Sequence, residues 1–262
     1  MPPLEIRKAC RAYAEKYIDV QRDEFKRLGI FGEWSRPYLT LDPDYEAAIV
    51  EQLGSFFVSG AAYFGKKPVH WCAYCQTALA EAEVEYEDHT SPSIYVRFPL
   101  VSPDLKKRFP AIGGRSVSIL IWTTTPWTLP ANLCIAYNST FSYSLVRAGD
   151  GDYVVSTMLL GTVAEKCGWD YQIIRSLEGD HFKDLEYQHP FCERPGRLFA
   201  GDDFVDNNTG TGFVHCAPGH GLEDYHLGRR VGLPVYSPVD DDGCLCHTAD
   251  LPQEQQMPAA LL

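Results

Sequence analysis

Two stretches of this chain gather side chains able to hold a small polar ligand and direct water at it. In the first, Thr123, Thr124, Thr125 and Thr128 crowd the end of an apolar run, Pro126 and Pro130 fix the exit, and Asn132 follows. Several short donors and acceptors could there meet one ligand, although threonine hydroxyls also cap ordinary turns. The second stretch runs from Gly210-Thr211-Gly212 through Phe213-Val214-His215-Cys216-Ala217-Pro218-Gly219-His220-Gly221 to Leu222-Glu223-Asp224-Tyr225. It lacks the third glycine of a dinucleotide fingerprint and the Gly-Lys-Ser/Thr of a phosphate loop, so both readings are rejected. What remains is a short strand ending at His215, a glycine-rich turn, and a helix from about Leu222 with Asp224 in its first turn. A carboxylate there is expected to stay ionised beside the helix dipole and to bind an ammonium group or orient a water; an ordinary acidic helix start is the plain alternative.

Metal chemistry is a weaker reading. His215, His220, Asp224 and His226 could ligate a water-activating zinc, but no His-Glu-x-x-His pair fixes their geometry. Cys72 and Cys75 have the spacing of half a structural zinc site, and Cys244 and Cys246 could be a second pair or unrelated thiols. Cys10, Cys134, Cys167, Cys192 and Cys216 read as small core residues.

The elements that must position these groups fall into two kinds. Ile6, Cys10, Tyr13, Tyr17, Val20 and Leu28 predict an amphipathic helix over 4–28, stopped at Gly29. A second helix is expected from Asp42 or Asp44 through Tyr45, Ile49, Leu53 and Phe56 to Gly60 or Gly65. Beyond Pro68 the texture becomes short strands: an alternating run at Ile94, Val96, Phe98 and Leu100, then 117–122, 133–137, 141–146, 153–155 and 171–174. A hairpin turn is expected over 148–152 and one helix over 156–167. The expected organisation is a helical segment 1–68, a β-rich body 69–243 and an irregular tail 244–262, in an α/β, sheet-rich fold.

Composition narrows the function. The 262 residues carry 23 basic and 35 acidic side chains, a net charge of −12, which is the wrong sign for gripping a long duplex through its phosphates. With 45% hydrophobic and 22% charged residues the chain is neither disordered nor a coiled coil. There is no apolar run of 18 residues and no signal-peptide pattern at Met1 to Glu5, so a cytosolic or organelle-matrix protein without a membrane partner is expected. Nine scattered cysteines suit reduced thiols.

Taken together, the segments Thr123 to Asn132 and Gly210 to Tyr225 resemble the editing domain of the isoleucyl-tRNA synthetase family, within class I. Lys67 to Cys72, Thr77 to Tyr86 and Trp34 to Thr40 are also similar, so the resemblance covers about residues 5–243. Valyl and leucyl relatives typically have Arg-Pro at Thr125-Pro126 and an acidic residue at Trp127, which points to the isoleucyl branch. The resemblance implies that 1–68 belong to a Rossmann-type synthetic domain and 69–243 to an inserted β-barrel-like editing domain. Neither a His-Ile-Gly-His nor a Lys-Met-Ser-Lys-Ser signature occurs, so ATP and magnesium would serve only a synthetic site absent here. Editing itself needs no cofactor, and Cys72 and Cys75 would be half of a structural zinc site in the longer enzyme.

The implied activity is hydrolysis of valyl-tRNA(Ile), at the acceptor end, and of valyl-adenylate, by a monomer. Asp224 would anchor the α-ammonium. Thr125 and Thr128, with Thr123, Thr124 and Asn132, would hold the ester, the terminal ribose or the attacking water. His215 would exclude isoleucine, with His220 nearby, and no covalent intermediate is expected. The alternatives are an inert fragment that binds the tRNA acceptor end and, less favoured, a metallohydrolase.

Overall fold

The computed structural model describes residues 1–112 and 114–246, and the chain divides into two compact units, Met1–Gly65 and Lys66–Leu262. Most of the expected tail, 247–262, lies outside the described residues.

The first unit holds two helices. Helix α1 (Pro3–Arg27) begins on a proline, carries Glu5 in its first turn and Lys26 and Arg27 in its last, all matched to the helix dipole, and gives way to Gly29 at φ 75°. Helix α2 (Pro43–Val58) starts after Asp42 and is followed by Gly60, also at positive φ. Stacking of Phe25 on Trp34 and an Arg11 bond to the Leu41 carbonyl tie the intervening loop to α1. Neither helix buries a single residue.

The second unit opens with a small hairpin, β1 (Trp71–Cys72) and β2 (Thr77–Ala78). Then follow β3 (Ile94–Pro99), α3 (Leu105–Arg108), β4 (Val117–Thr123), β5 (Cys134–Tyr137), β6 (Ser142–Ala148) and β7 (Gly151–Ser156). The chain continues with α4 (Leu160–Cys167), β8 (Tyr171–Glu178), β9 (Glu186–Gln188), β10 (Pro195–Ala200), β11 (Phe213–Cys216) and α5 (Leu222–Val231). Five strands form one sheet in the order β3-β4-β7-β6-β8, and four form another in the order β11-β5-β10-β9. Pairing is antiparallel except for β4–β7 and β5–β10. A bridge between Leu100 and Tyr187 links the sheets at one corner, and one hydrophobic core, including Phe98, Ile119, Leu145, Ile135, Tyr187 and Phe213, draws on both. The fold is therefore α/β and sheet-rich.

The sequence reading also did not expect the short β1, β2 and α3, and further local outcomes differ from it. The helix expected from Ser156 starts at Leu160, because Ser156 ends β7, with its hydroxyl on Asn207 Oδ1 at 2.6 Å and its N–H on the Thr211 carbonyl at 2.8 Å. Strand β8 extends to Glu178 rather than Ile174, carried by pairing with β6 across an irregular register at Leu145/Val146. Strand β9, three residues long, is too short to show a period, and in β10 a glycine occupies an inward position: Gly196 faces Tyr187, whose ring fills the space a Cβ would need.

Candidate functional site

Strand β4 is mostly apolar and buried on both faces from Val117 to Ile121, and the chain leaves the sheet after Thr123. Pro126 then starts a 3-10 turn over Pro126–Ala131 that swings the chain back into β5. Strand β11 pairs antiparallel with β5, His215 opposite Ile135, and delivers the chain into a tight turn over 217–221. Only glycine fits at Gly219, since a Cβ there would sit 2.1 Å from the Tyr236 carbonyl oxygen. The turn ends at Gly221, the N-cap of α5, which places Asp224 in the first helical turn.

These elements surround a cavity of about 400 Å³, in the range of small-molecule sites. Thr123, Thr124, Thr125, Thr128, His215, His220 and Asp224 all line it. Asn132 does not: it is buried behind the turn, donating to the Cys134 carbonyl at 2.9 Å and accepting from the Tyr187 hydroxyl. A side chain spent on both amide ends this way is a brace rather than a ligand contact. His226 is likewise not among the lining residues. The sequence reading missed the wall formed by Trp122, Phe204, Asp206 and Thr209, although 204–209 immediately precede the Gly210 motif. Trp127, used above only to choose a branch, also lines the cavity and meets the His220 ring edge-on at 5.2 Å.

The hydrogen bonds assign protons. The Thr128 hydroxyl lies 2.9 Å from the Thr125 carbonyl and 3.0 Å from His215 Nε2. Its single proton goes to the carbonyl, which is only an acceptor, so His215 donates from Nε2 and keeps Nδ1 as a bare acceptor. Among the described residues, His215 Nδ1 and His220 Nε2 are buried without a partner. Burial, reinforced by His220, pulls the His215 pKa down to about 4, and burial lowers that of His220 as well. Both rings are thus held toward the neutral form.

Asp224 departs from the sequence reading. The helix start was expected to keep its carboxylate ionised, but burial pushes its pKa upward, against the opposing bond to Oδ2 from the Ala217 N–H at 2.9 Å. Desolvation outweighs the helix terminus because the carboxyl is drawn back under the glycine turn; a Cβ on Gly221 would lie 2.7 Å from Oδ2. A cation entering the cavity would reverse that shift. Cys216 is no nucleophile: contact with Cys134 and burial push its thiol well above the ordinary range.

The Cys72–Cys75 pair sits on the β1–β2 hairpin, with the Cys75 N–H on Cys72 Sγ at 3.3 Å. The segment holding Cys244 lies against this hairpin, through Trp71 on the Asp241 carbonyl and Gln76 on Asp242. Among the described residues, no three His, Cys, Asp or Glu side chains come together to hold a metal, so two thiols fall short of a four-ligand zinc site. The same holds for the cavity's histidines and Asp224.

A family model described as tRNA synthetases class I (I, L, M and V) matches residues 2–229. The chain belongs to the class I tRNA synthetases. It is 49% identical over 244 residues to an isoleucine–tRNA ligase of Nitratidesulfovibrio vulgaris (strain DP4), covering 93% of this chain and 26% of that protein. It is 51% identical over 241 residues to the ligase of Persephonella marina, covering 91% and 24%, and 46% identical over 259 residues to that of Desulfotalea psychrophila, covering 98% and 27%. This synthetase chain therefore spans about a quarter of the length of those curated relatives. Among solved structures it is similar to GlLeuRS-CP1, with TM-score 0.47, 16% identity and coverage of 53% and 58%. It is also similar to the editing domain of the P. falciparum cytosolic leucyl-tRNA synthetase, with TM-score 0.45, 18% identity and coverage of 53% and 67%. A likeness this loose carries no weight for function. Among the described residues of this synthetase chain, no helix is long and apolar enough to cross a membrane.

Proposed function

We propose that the cavity hydrolyses valine misattached to tRNA(Ile), and valyl-adenylate, and so guards the fidelity of isoleucyl-tRNA synthesis. The need is physical: one methylene is worth only about 1–3 kcal/mol in an apolar pocket, the isoleucine–valine pair being the usual illustration of that limit, so a second hydrolytic sieve is required. The observation that carries the reading is one cavity that brings together the recessed Asp224 carboxylate, neutral imidazoles and a row of threonines, with the exposed Asp206 in its wall.

Asp224 binds the α-ammonium, and that cation holds the carboxylate ionised. The neutral histidines do not repel it. Thr125 holds the ester carbonyl or the attacking water; Thr128, its proton given to the Thr125 carbonyl, can only accept from that water; Thr123 and Thr124 hold the terminal ribose, and His215 forms the wall that meets the amino-acid side chain. Water attacks directly, and the tRNA hydroxyl leaves. Neither Lys nor Arg is among the lining residues, which favours the aminoacyl ester over the phosphate-bearing adenylate. The Rossmann-type identity of the helical unit, a structural zinc completed by ligands from outside the described residues, the monomeric state and a cytoplasmic location complete the proposal.

The test is deacylation of valyl- and isoleucyl-tRNA(Ile) by this chain and by Asp224→Ala. Valyl-tRNA(Ile) should be hydrolysed and isoleucyl-tRNA(Ile) spared, with Asp224→Ala slower on the order of 100-fold. Binding without turnover would leave an acceptor-end-binding fragment, and activity lost to a chelator would make it a metalloenzyme.

A further inference from the structure

Behind the threonine turn stands a histidine that does not line the cavity. His189, 3% exposed, follows β9 and packs edge-on against the rings of Phe98 and Phe191. Its Nδ1 receives two backbone N–H groups, from Phe191 at 3.3 Å and Cys192 at 3.1 Å. A ring nitrogen that accepts two such bonds carries no proton, so the proton of the neutral ring is on Nε2. Nε2 lies 2.9 Å from the Leu129 carbonyl and donates to it. The fold thus fixes one tautomer and aims it at the residue next to Thr128.

The neighbours of His189 act along the same line. Arg194 donates to the Pro130 carbonyl and lies over the Tyr236 ring, and Tyr187 donates to Asn132. Segment 187–194 therefore grips the rear of the turn at 129, 130 and 132. The turn gains from such a grip because two of its six residues are prolines and give no N–H.

We propose that His189 is a positioning residue for the cavity: its Nε2–H, bound to the Leu129 carbonyl, sets where Thr125 and Thr128 stand and thereby tunes hydrolysis without touching substrate. The claim about rate rests on the hydrolytic reading above. The claim about position does not, because Thr128 passes any displacement to His215 through their 3.0 Å hydrogen bond.

Two substitutions in the whole chain separate positioning from mere support. In His189→Gln the amide nitrogen reaches the Nε2 position and donates to Leu129. In His189→Asn the amide oxygen replaces Nδ1, serving Phe191 and Cys192 but leaving Leu129 without its donor. The kcat for valyl-tRNA(Ile) should stay within about threefold in His189→Gln and fall about tenfold or more in His189→Asn, with KM unchanged in both. Thermal midpoints should not follow that order, since Asn restores the local turn. In ¹⁵N-resolved NMR without substrate, the His215 Nε2–H resonance should move in His189→Asn and stay in His189→Gln. A kcat that tracks the thermal midpoint, or a His215 resonance unmoved by Asn, overturns the proposal. A wild-type chain with no hydrolysis sinks the hydrolytic reading instead, and the resonance still decides the positioning.

Discussion

The helical unit and the β-rich unit are both patterned with apolar residues, yet they use them in opposite ways. Every residue of β5 and β7 is buried, whereas α1 and α2, with 25 and 16 residues, bury none. Ile49, Leu53, Phe56 and Phe57 of α2 are each at least half exposed. Periodicity makes a helix amphipathic, but only a facing surface converts that face into stability. The sheets supply such surfaces to one another.

Acid should strain the comparison most. His189 and His215 are held near pKa 4 by burial, against an ordinary 6.5, so between pH 6.5 and 4 the unfolded chain binds protons that the folded one refuses. Stability present above pH 6.5 is lost as pH falls toward 4, on the order of 3 kcal/mol per histidine. The first unit contains no histidine and should not respond over the upper part of that window. Thermal unfolding of the β-rich unit with equal midpoints at pH 7 and pH 5 would refute this.

A matched truncation comes next. Leu145→Ala, in the core at 0% exposure, should cost about 2–5 kcal/mol in denaturant unfolding, and Leu53→Ala, at 52%, about 0.5 kcal/mol or less. Similar losses would show that α2 is packed in solution. The finest probe is a pair of glycines at nearly the same positive φ, 79° at Gly212 and 75° at Gly29. Alanine at Gly29 meets nothing and should cost about 1–2 kcal/mol of backbone strain. At Gly212 its Cβ would also lie 2.5 Å from that of Ser156, so Gly212→Ala should cost more, and equal costs would mean that Ser156 yields.

Much of this was legible beforehand. The threonine run and the Gly-His-Asp run marked the two walls of the cavity, because hydroxyls at a strand exit and a carboxylate at a helix start are local features that sequence spacing shows. Strand β10 was not legible, since Gly196 hides an inward position that Tyr187 fills from β9, itself only three residues long. Asn132 looked like a ligand contact by adjacency, and only its bonds to Cys134 and Tyr187 reveal a brace.

The sequence by itself determined the two long helices and α5, most strands, the family and which polar groups stand near the site, because each depends on neighbours along the chain. The tertiary structure decided their chemical state. Burial raised Asp224 against its helix dipole and kept His215 neutral, and two backbone donors from the 191–192 turn chose the His189 tautomer. Desolvation and hydrogen-bond direction are set by atoms distant in sequence, and no local pattern encodes them.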